Sequence, residues 1–139
     1  MKVLSEKIEL NCPAGQLPSL KATIDNGADA TYFGFKTYSN ARMYPGLNFD
    51  YEEAKEGINY IHDHGKKAYI TINTYPQKEQ LDVCLKAIDD AYSLEADAII
   101  IADVGLMQYA KEKYPNLRLH VSVLARTYNL QAINFYKRF

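Results

Sequence analysis

Apolar residues follow two alternating patterns along the chain, and these patterns predict its strands and helices. Short continuous or alternating apolar runs, typical of strands, occupy residues 8–12, 31–35, 67–73, 98–102 and 118–123. Apolar residues with the roughly 3.6-residue period of a helix occupy residues 16–26, 51–64, 78–94, 104–114 and 130–139. Helix ends carry matching signals, such as Gly27 at a C-terminus and Asp50 with Glu53 in a capping box.

A helix between successive strands predicts right-handed crossovers and a parallel sheet. Two architectures have this order of elements, a doubly wound open sheet and a (β/α)₈ barrel. A complete barrel needs about 250 residues, whereas the chain has 139 residues, enough for about five of the eight βα units. No low-complexity segment or shift in composition divides the chain, so one α/β domain over 1–139 is the simplest prediction.

Composition and charge limit the class of protein and the partners that we expect for this domain. Hydrophobic residues make up 47% of the chain and charged residues 24%, which are ordinary values for a globular protein. The net charge of −1 gives no global field that would attract nucleic acid or an anionic membrane. The N-terminus has no long apolar stretch typical of a signal peptide, and the apolar run at 96–104 is interrupted by Asp97 and Asp103. We therefore expect a soluble, cytoplasmic protein without a membrane span.

The two cysteines, Cys12 and Cys84, lie far apart in the sequence and predict neither a zinc site nor a disulfide framework. Cys84 lies in a predicted helix, so we expect a reduced and buried thiol there. No metal site is predicted in this chain.

Polar residues that follow the predicted strands are the candidate functional residues, because sites in parallel folds gather at the carboxyl ends of the strands. They are Asn11, Cys12, Gly15, Gly34, Lys36, Asn40, Arg42, Asn73, Asp103, Ser122 and Arg126. Three of them, Lys36, Asn40 and Arg42, share an unusually long loop over 36–48, where a cation could bind a carboxylate or phosphate or could simply be solvated.

Asp103 has two interpretations from the sequence. It could orient a base or pair with Lys36 or Arg42, or it could cap the helix that starts at Val104. Together with His120 and Ser122 it also suggests a Ser-His-Asp triad. However, residues two apart on one strand rarely meet in hydrogen-bond geometry, and no GxSxG motif is present. The tyrosines are scattered and predict no stacking platform for nucleic acid.

Several motifs in one order carry a family resemblance over nearly the whole chain. They are CPAG at 12–15, GADA-YFG at 27–34, NAR at 40–42, TIN at 71–73 and IIADVG at 100–105. Together they resemble peptidase family U32, the collagenase-like protease family, and are most similar to the branch that contains the ubiquinone-biosynthesis protein UbiU. The family often has His-Ser-Thr/Val-Gln at the fifth strand. Here Leu124 stands in place of the Gln, and Arg126 occupies a position where a small residue is common.

The resemblance implies the N-terminal part of a larger TIM-barrel-like catalytic domain, so we expect an incomplete barrel of about five of eight units. It implies either a peptidase or an oxygen-independent hydroxylase that acts on ubiquinone precursors, transfer RNA or ribosomal RNA, with prephenate as oxygen donor. A [4Fe–4S] cluster is expected in full-length members, but its cysteines belong to later segments and none can be assigned here. The pocket-lining positions that the resemblance implies are Gly15, Gly34, Asn40, Arg42, Asn73, Asp103 and Ser122, and no catalytic residue is assigned.

Two kinds of function remain open from the sequence. The first is an enzyme whose catalysis needs a further part, in the UbiU-like branch with a ubiquinone precursor as substrate, a UbiV-like partner and no nucleic acid. Proteolysis is its alternative. The second is a non-catalytic α/β module that self-associates. In either case, an incomplete barrel exposes the edges of its first and fifth strands, so we expect a homo-oligomer.

Overall fold

The computed structural model describes residues 8–139, which form a five-stranded parallel sheet with a helix after each strand. The strands are β1 (Asn11–Pro13), β2 (Ala30–Gly34), β3 (Lys67–Ile72), β4 (Ala98–Ile101) and β5 (Leu119–Val121). The helices are α1 (Leu17–Asp25), α2 (Tyr51–Asp63), α3 (Leu81–Ser93), α4 (Val104–Lys113) and α5 (Leu130–Tyr136). The predicted alternation of strands and helices is confirmed.

The order of strands in the sheet is β1-β2-β3-β4-β5, the same as their order in the chain. A doubly wound sheet would reverse direction at a switch point, whereas a barrel adds each strand beside the preceding one. All four strand pairs are parallel, and the registers place Tyr32 beside Tyr69 and Tyr69 beside Ala98. Because the order never reverses, the fold is the barrel type, and the predicted incomplete barrel is confirmed.

The main hydrophobic core lies between the sheet and the helices. Phe33, Ile70 and Ile99, which are neighbours in the register of β2, β3 and β4, are buried against helix residues such as Ile58 and Ile88. The opposite sheet face has a smaller cluster of Ala30, Tyr69 and Ala98, with Tyr32 and Ile100 packed beside it. Helices therefore cover one face only, and the other is the concave face that a closed barrel would enclose.

Some element ends differ from the predictions for physical reasons. The first strand was predicted to end at Cys12, but Pro13 is the last residue of β1, paired with Tyr32. Among residues 8–139, β1 is an edge strand, where proline's missing N–H costs no ladder hydrogen bond. The fifth strand is shorter than predicted, because the chain enters a 3₁₀ turn over Val123–Ala125. Within residues 8–139, no helix has the length and apolar character needed to cross a membrane.

Candidate functional site

A cavity of about 800 Å³ opens at the carboxyl ends of the strands. Three connections form its wall: the β2–α2 loop, the segment after β3 and the 3₁₀ turn after β5. The lining residues are Tyr38, Asn40, Ala41, Met43, Asn73, Thr74, Tyr75, Leu124, Ala125 and Arg126. The cavity lies where parallel α/β folds place their active sites.

Asn40 anchors the long β2–α2 loop above the sheet. Its side chain is only 5% exposed, and its Nδ2 donates to Asn48 Oδ1 at 2.8 Å. Its Oδ1 accepts the Arg42 backbone N–H at 3.2 Å and the Thr71 hydroxyl at 3.4 Å. A Cβ at Gly34 would come within 2.3 Å of the Asn40 Nδ2, so glycine at the end of β2 makes room for this amide. Asn40 therefore holds the loop rather than offering free hydrogen-bonding groups to a ligand.

Asn73 follows β3 and connects that strand to the loop. Its Oδ1 accepts the Ala41 backbone N–H at 3.0 Å, which fixes the orientation of the amide. Its Nδ2 makes no hydrogen bond to another residue within 8–139. An oriented amide NH₂ at the cavity wall can donate to a carbonyl or anionic oxygen.

Arg126 is the one charged side chain among the residues that line the cavity. Its backbone has a φ of 52°, in the left-handed region that residues other than glycine seldom adopt. Arg42 lies between the lining residues Ala41 and Met43, and its backbone is held by Asn40 and Asn48. Within the part of the chain that the structure describes, neither guanidinium forms an ion pair. Arg126 therefore places a positive charge at the cavity wall.

Tyr75 closes the cavity between β3 and the turn after β5. Its hydroxyl donates to the Leu124 carbonyl oxygen at 2.9 Å, while its side chain remains 51% exposed. Partial burial, together with the nearby Asp103 carboxylate, raises the pKa of Tyr75 above its usual value. The phenol therefore stays neutral, and Tyr75 presents an aromatic surface and acts as a hydrogen-bond donor to Leu124.

Asp103 and Ser122 have local structural roles. Asp103 Oδ1 accepts the Leu106 backbone N–H at 2.9 Å as the N-cap of α4, and Lys36 pairs with Glu53 and Asp50 instead. The Ser122 hydroxyl accepts the Leu124 backbone N–H at 3.2 Å and is almost fully buried.

No Ser-His-Asp triad forms. The His120 ring packs edge-on against Tyr69, 4.8 Å between centroids, on the concave face of the sheet. His120 thus contacts a tyrosine of β3 instead of the hydroxyl of Ser122 or the carboxylate of Asp103, which agrees with the expectation from their spacing.

Of the predicted pocket positions, Asn40 and Asn73 line the cavity. Gly15, Gly34, Arg42, Asp103 and Ser122 lie outside its lining, and their part in substrate binding stays a prediction. The sequence did not single out Tyr38, Met43, Tyr75 and Leu124 as functional residues, because apolar residues in loops have no periodicity that would mark them. Leu124 and Arg126, where the chain departs from the family pattern, both line the cavity.

The described residues do not fit an iron–sulfur cluster. A cubane cluster needs about four ligands, usually thiolates, and the two cysteines are Cys12 in β1 and Cys84 in α3. Cys84 is completely buried, and this burial raises the pKa of its thiol. Among residues 8–139, no three His, Cys, Asp or Glu side chains are grouped so that they could bind a metal ion.

Comparison with known proteins gives relatives of two kinds. The chain is 42% identical over 135 residues to the uncharacterized protease MJ0090 of Methanocaldococcus jannaschii, a match that covers 95% of the chain and 31% of the relative. It is 41% identical over 124 residues to tRNA hydroxylation protein P of Helicobacter pylori, covering 89% of the chain and 29% of the relative. The chain thus spans about a third of the length of these relatives or less.

A solved structure, that of the U32 peptidase Mk0906, superposes with a TM-score of 0.78 over 99% of the chain and 57% of that structure. The sequence identity of this pair is 19%, so the superposition supports the fold alone. The sequence model of peptidase family U32 matches residues 15–139, which is most of the chain. The chain belongs to peptidase family U32.

Proposed function

We propose that this chain supplies the first five βα units of the catalytic barrel of a U32 protein that hydroxylates RNA. In this proposal residues 1–139 form the N-terminal part of one (β/α)₈ domain and are not catalytically complete alone. The mouth cavity receives the group that is modified, and the chemistry requires the further part of the barrel. The observation that carries the proposal is the open cavity of about 800 Å³ at the carboxyl ends of the strands.

The residues that line the cavity offer no candidate for peptide hydrolysis. A peptidase needs an activated nucleophile or a bound metal with a water molecule. The residues that line the cavity include no Ser, Cys, His, Asp or Glu. Its only hydroxyls belong to Thr74, Tyr38 and Tyr75, and no general base lines the cavity beside them. The lining therefore offers a binding site without a nucleophile–base pair, and the preference for hydroxylation rests on the similarity to a tRNA hydroxylation protein.

RNA is the preferred substrate class because a relative 41% identical to the chain is a tRNA hydroxylation protein. The sequence motifs alone favoured a different assignment, with a ubiquinone precursor, a UbiV-like partner and no nucleic acid, and that assignment is the alternative to the present proposal. A [4Fe–4S] cluster also remains an expectation for the full-length family, since the described residues here do not fit one.

A chimeric protein tests the proposal. Residues 1–139 would replace the matching segment of tRNA hydroxylation protein P from Helicobacter pylori, and the chimera would be expressed in a strain that lacks this protein. We expect mass spectrometry of the tRNA nucleosides to show the product with one added oxygen atom. The same relative without its N-terminal segment is the matched control, and it should give no product.

The alternative activity is measured on the same purified chimera. Cleavage of casein without any hydroxylated nucleoside would overturn the proposal in favour of the peptidase. An unmodified tRNA pool, with a chimera that is folded and abundant, would also count against it.

Self-association is a second proposal for the isolated chain. The 3₁₀ turn after β5, the segment before α5 and the start of α5 carry exposed apolar side chains, among which Val123 is 91% exposed, Tyr128 84% and Leu130 63%. Soluble monomers rarely expose large contiguous apolar patches. In the longer relatives, further units could cover this face, whereas in the isolated chain a second copy is the available partner.

A further inference from the structure

The cavity wall combines exposed aromatic and apolar side chains in a way that suits a flat ring. Tyr75 is 51% exposed, Met43 49% and Leu124 42%, and all three line the cavity. Large apolar side chains that remain exposed inside a concave site mark ligand contacts. Because every nucleobase has a flat π-face, stacking on an exposed tyrosine is a common way to hold one.

The polar side chains of the cavity include a free amide donor and a cation. Asn73 keeps its amide NH₂ available, because its oxygen already accepts the Ala41 N–H. Arg126 adds a guanidinium, and no carboxylate lines the cavity. A ligand that presents acceptor oxygens and a negative charge therefore complements Asn73 and Arg126. A nucleotide has both, in its base carbonyls and its phosphate.

The volume of the cavity suits a nucleotide that has left its stack. An enzyme that modifies a base must take it out of the stack and hold it in a pocket between aromatic or apolar side chains. A volume of about 800 Å³ lies in the range of pockets that enclose a small-molecule ligand. Arg126 lines the pocket and is exposed, so a phosphate group can reach it from solvent.

We infer that the cavity binds one extruded nucleotide of a single-stranded RNA, with its base on Tyr75 beside Met43 and its phosphate at Arg126. In this arrangement the Asn73 amide donates to a carbonyl oxygen of the base. The hydroxyl of Tyr75 has only a structural task, since it is already bonded to the Leu124 carbonyl oxygen. This inference rests on the proposed function and specifies its binding step.

Calorimetric titration of the 139-residue chain with cytidine 5′-monophosphate and with ribose 5-phosphate tests the inference. The two probes share the sugar and phosphate and differ in the base. We expect the nucleotide to bind about tenfold more tightly, because base–aromatic stacking contributes about 1–3 kcal/mol. The affinity of both probes should fall as the salt concentration rises.

Variants then assign the contacts. Tyr75→Ala should lower the affinity for the nucleotide about tenfold and leave the affinity for ribose 5-phosphate unchanged. Tyr75→Phe should bind both probes as tightly as the parent chain, because the aromatic ring remains. Arg126→Gln should lower the affinity for both probes, because both carry the phosphate. Arg118→Gln is the matched control: Arg118 is also exposed but precedes β5 at the opposite end of the sheet, so it should have no effect. Circular dichroism confirms that each variant is folded.

Three results would overturn the inference. They are equal affinity for the two probes, an unchanged nucleotide affinity in Tyr75→Ala, and binding of prephenate in the absence of nucleotide binding. The chimera separates this inference from the proposed function. A chimera that hydroxylates tRNA equally well with Tyr75→Ala would refute the binding mode alone, and an inactive chimera whose 139-residue segment still binds the nucleotide would refute the function alone.

Discussion

At the scale of single residues, the position of the β2–α2 loop depends on an absent side chain. Gly34 has no Cβ, and the space that one would fill is occupied by the Asn40 amide and by Thr71 Oγ1, at 2.3 Å and 2.6 Å. Asn40 in turn bonds to Asn48, whose backbone adopts a positive φ of 76°. Three residues thus fix a loop that contributes Tyr38 and Met43 to the cavity wall.

The first prediction concerns the close approach of the Asn40 amide to Gly34. Gly34→Ala should lower the free energy of unfolding by about 1–3 kcal/mol, because overpacking a rigid buried site costs that much. Urea denaturation followed by circular dichroism measures the change. In an Asn40→Ala background the same substitution should cost less, since the amide that lies nearest to the added Cβ is gone. Strictly additive costs would show that the Asn40 amide is not what excludes a larger residue.

Some residues of the cavity could be predicted from the sequence, and others could not. Asn73 was predictable, because it ends a strong apolar run and parallel strands bring such ends to one edge of the sheet. Tyr75 was not, because it lies in a turn where an aromatic residue has no periodic pattern to interpret. Its role depends on the Leu124 carbonyl, which is 49 residues away in the chain. Long-range contacts of this kind leave no local signal.

At the scale of elements, the apolar periods predicted every strand and helix of the barrel repeat, and the differences lie at their ends. Helix α3 starts at Leu81, because Lys78–Gln80 forms a separate 3₁₀ turn after Pro76. Its neighbour α4 is held to it by polar side chains. Asp89 of α3 accepts hydrogen bonds from the hydroxyls of Tyr109 and Tyr114 and from the ammonium group of Lys113.

This cluster predicts a pH dependence of stability. Partial burial acts to raise the pKa of Asp89, but the hydrogen bonds from Tyr114, Lys113 and Tyr109 outweigh it and lower the pKa below its usual value. The unfolded chain therefore takes up a proton at this carboxylate first as the pH falls. The stabilising contribution is present above about pH 4, the unfolded pKa, and is lost as the pH falls through the lower folded pKa.

Urea denaturation between neutral pH and pH 3 measures this effect. Asp89→Asn should lower the stability at neutral pH and make the loss of stability on acidification shallower than in the parent chain. Tyr114→Phe removes one donor to the carboxylate, so its loss of stability on acidification should lie between those of the parent chain and Asp89→Asn. An identical slope in Asp89→Asn and the parent chain would contradict a role for this carboxylate.

At the scale of the whole molecule, the five units form a sheet with two free edges. Among residues 8–139, β1 pairs only with β2 and β5 only with β4. Helices cover the outer face, while the inner face retains partly exposed residues such as Tyr32 and Ile100. Open sheet edges and apolar surface together favour association with another protein surface.

The last prediction follows from this geometry. In sedimentation experiments over a range of concentrations, the isolated chain should form dimers or larger species, because Val123, Tyr128 and Leu130 expose apolar surface beside the free edge of β5. The double variant Val123→Lys and Tyr128→Lys should shift the chain towards the monomer, since a charged lysine on this face resists burial.

The matched control for this variant is Val83→Lys. Val83 lies on α3, away from either sheet edge, and is 39% exposed, so a lysine there should leave the assembly unchanged. A parent chain that stays monomeric at every concentration would mean that the β5 face is stable in water without a partner. If the control lysine disrupted the assembly as strongly as the double variant, the association surface would have to lie on the helices instead of the strand edge.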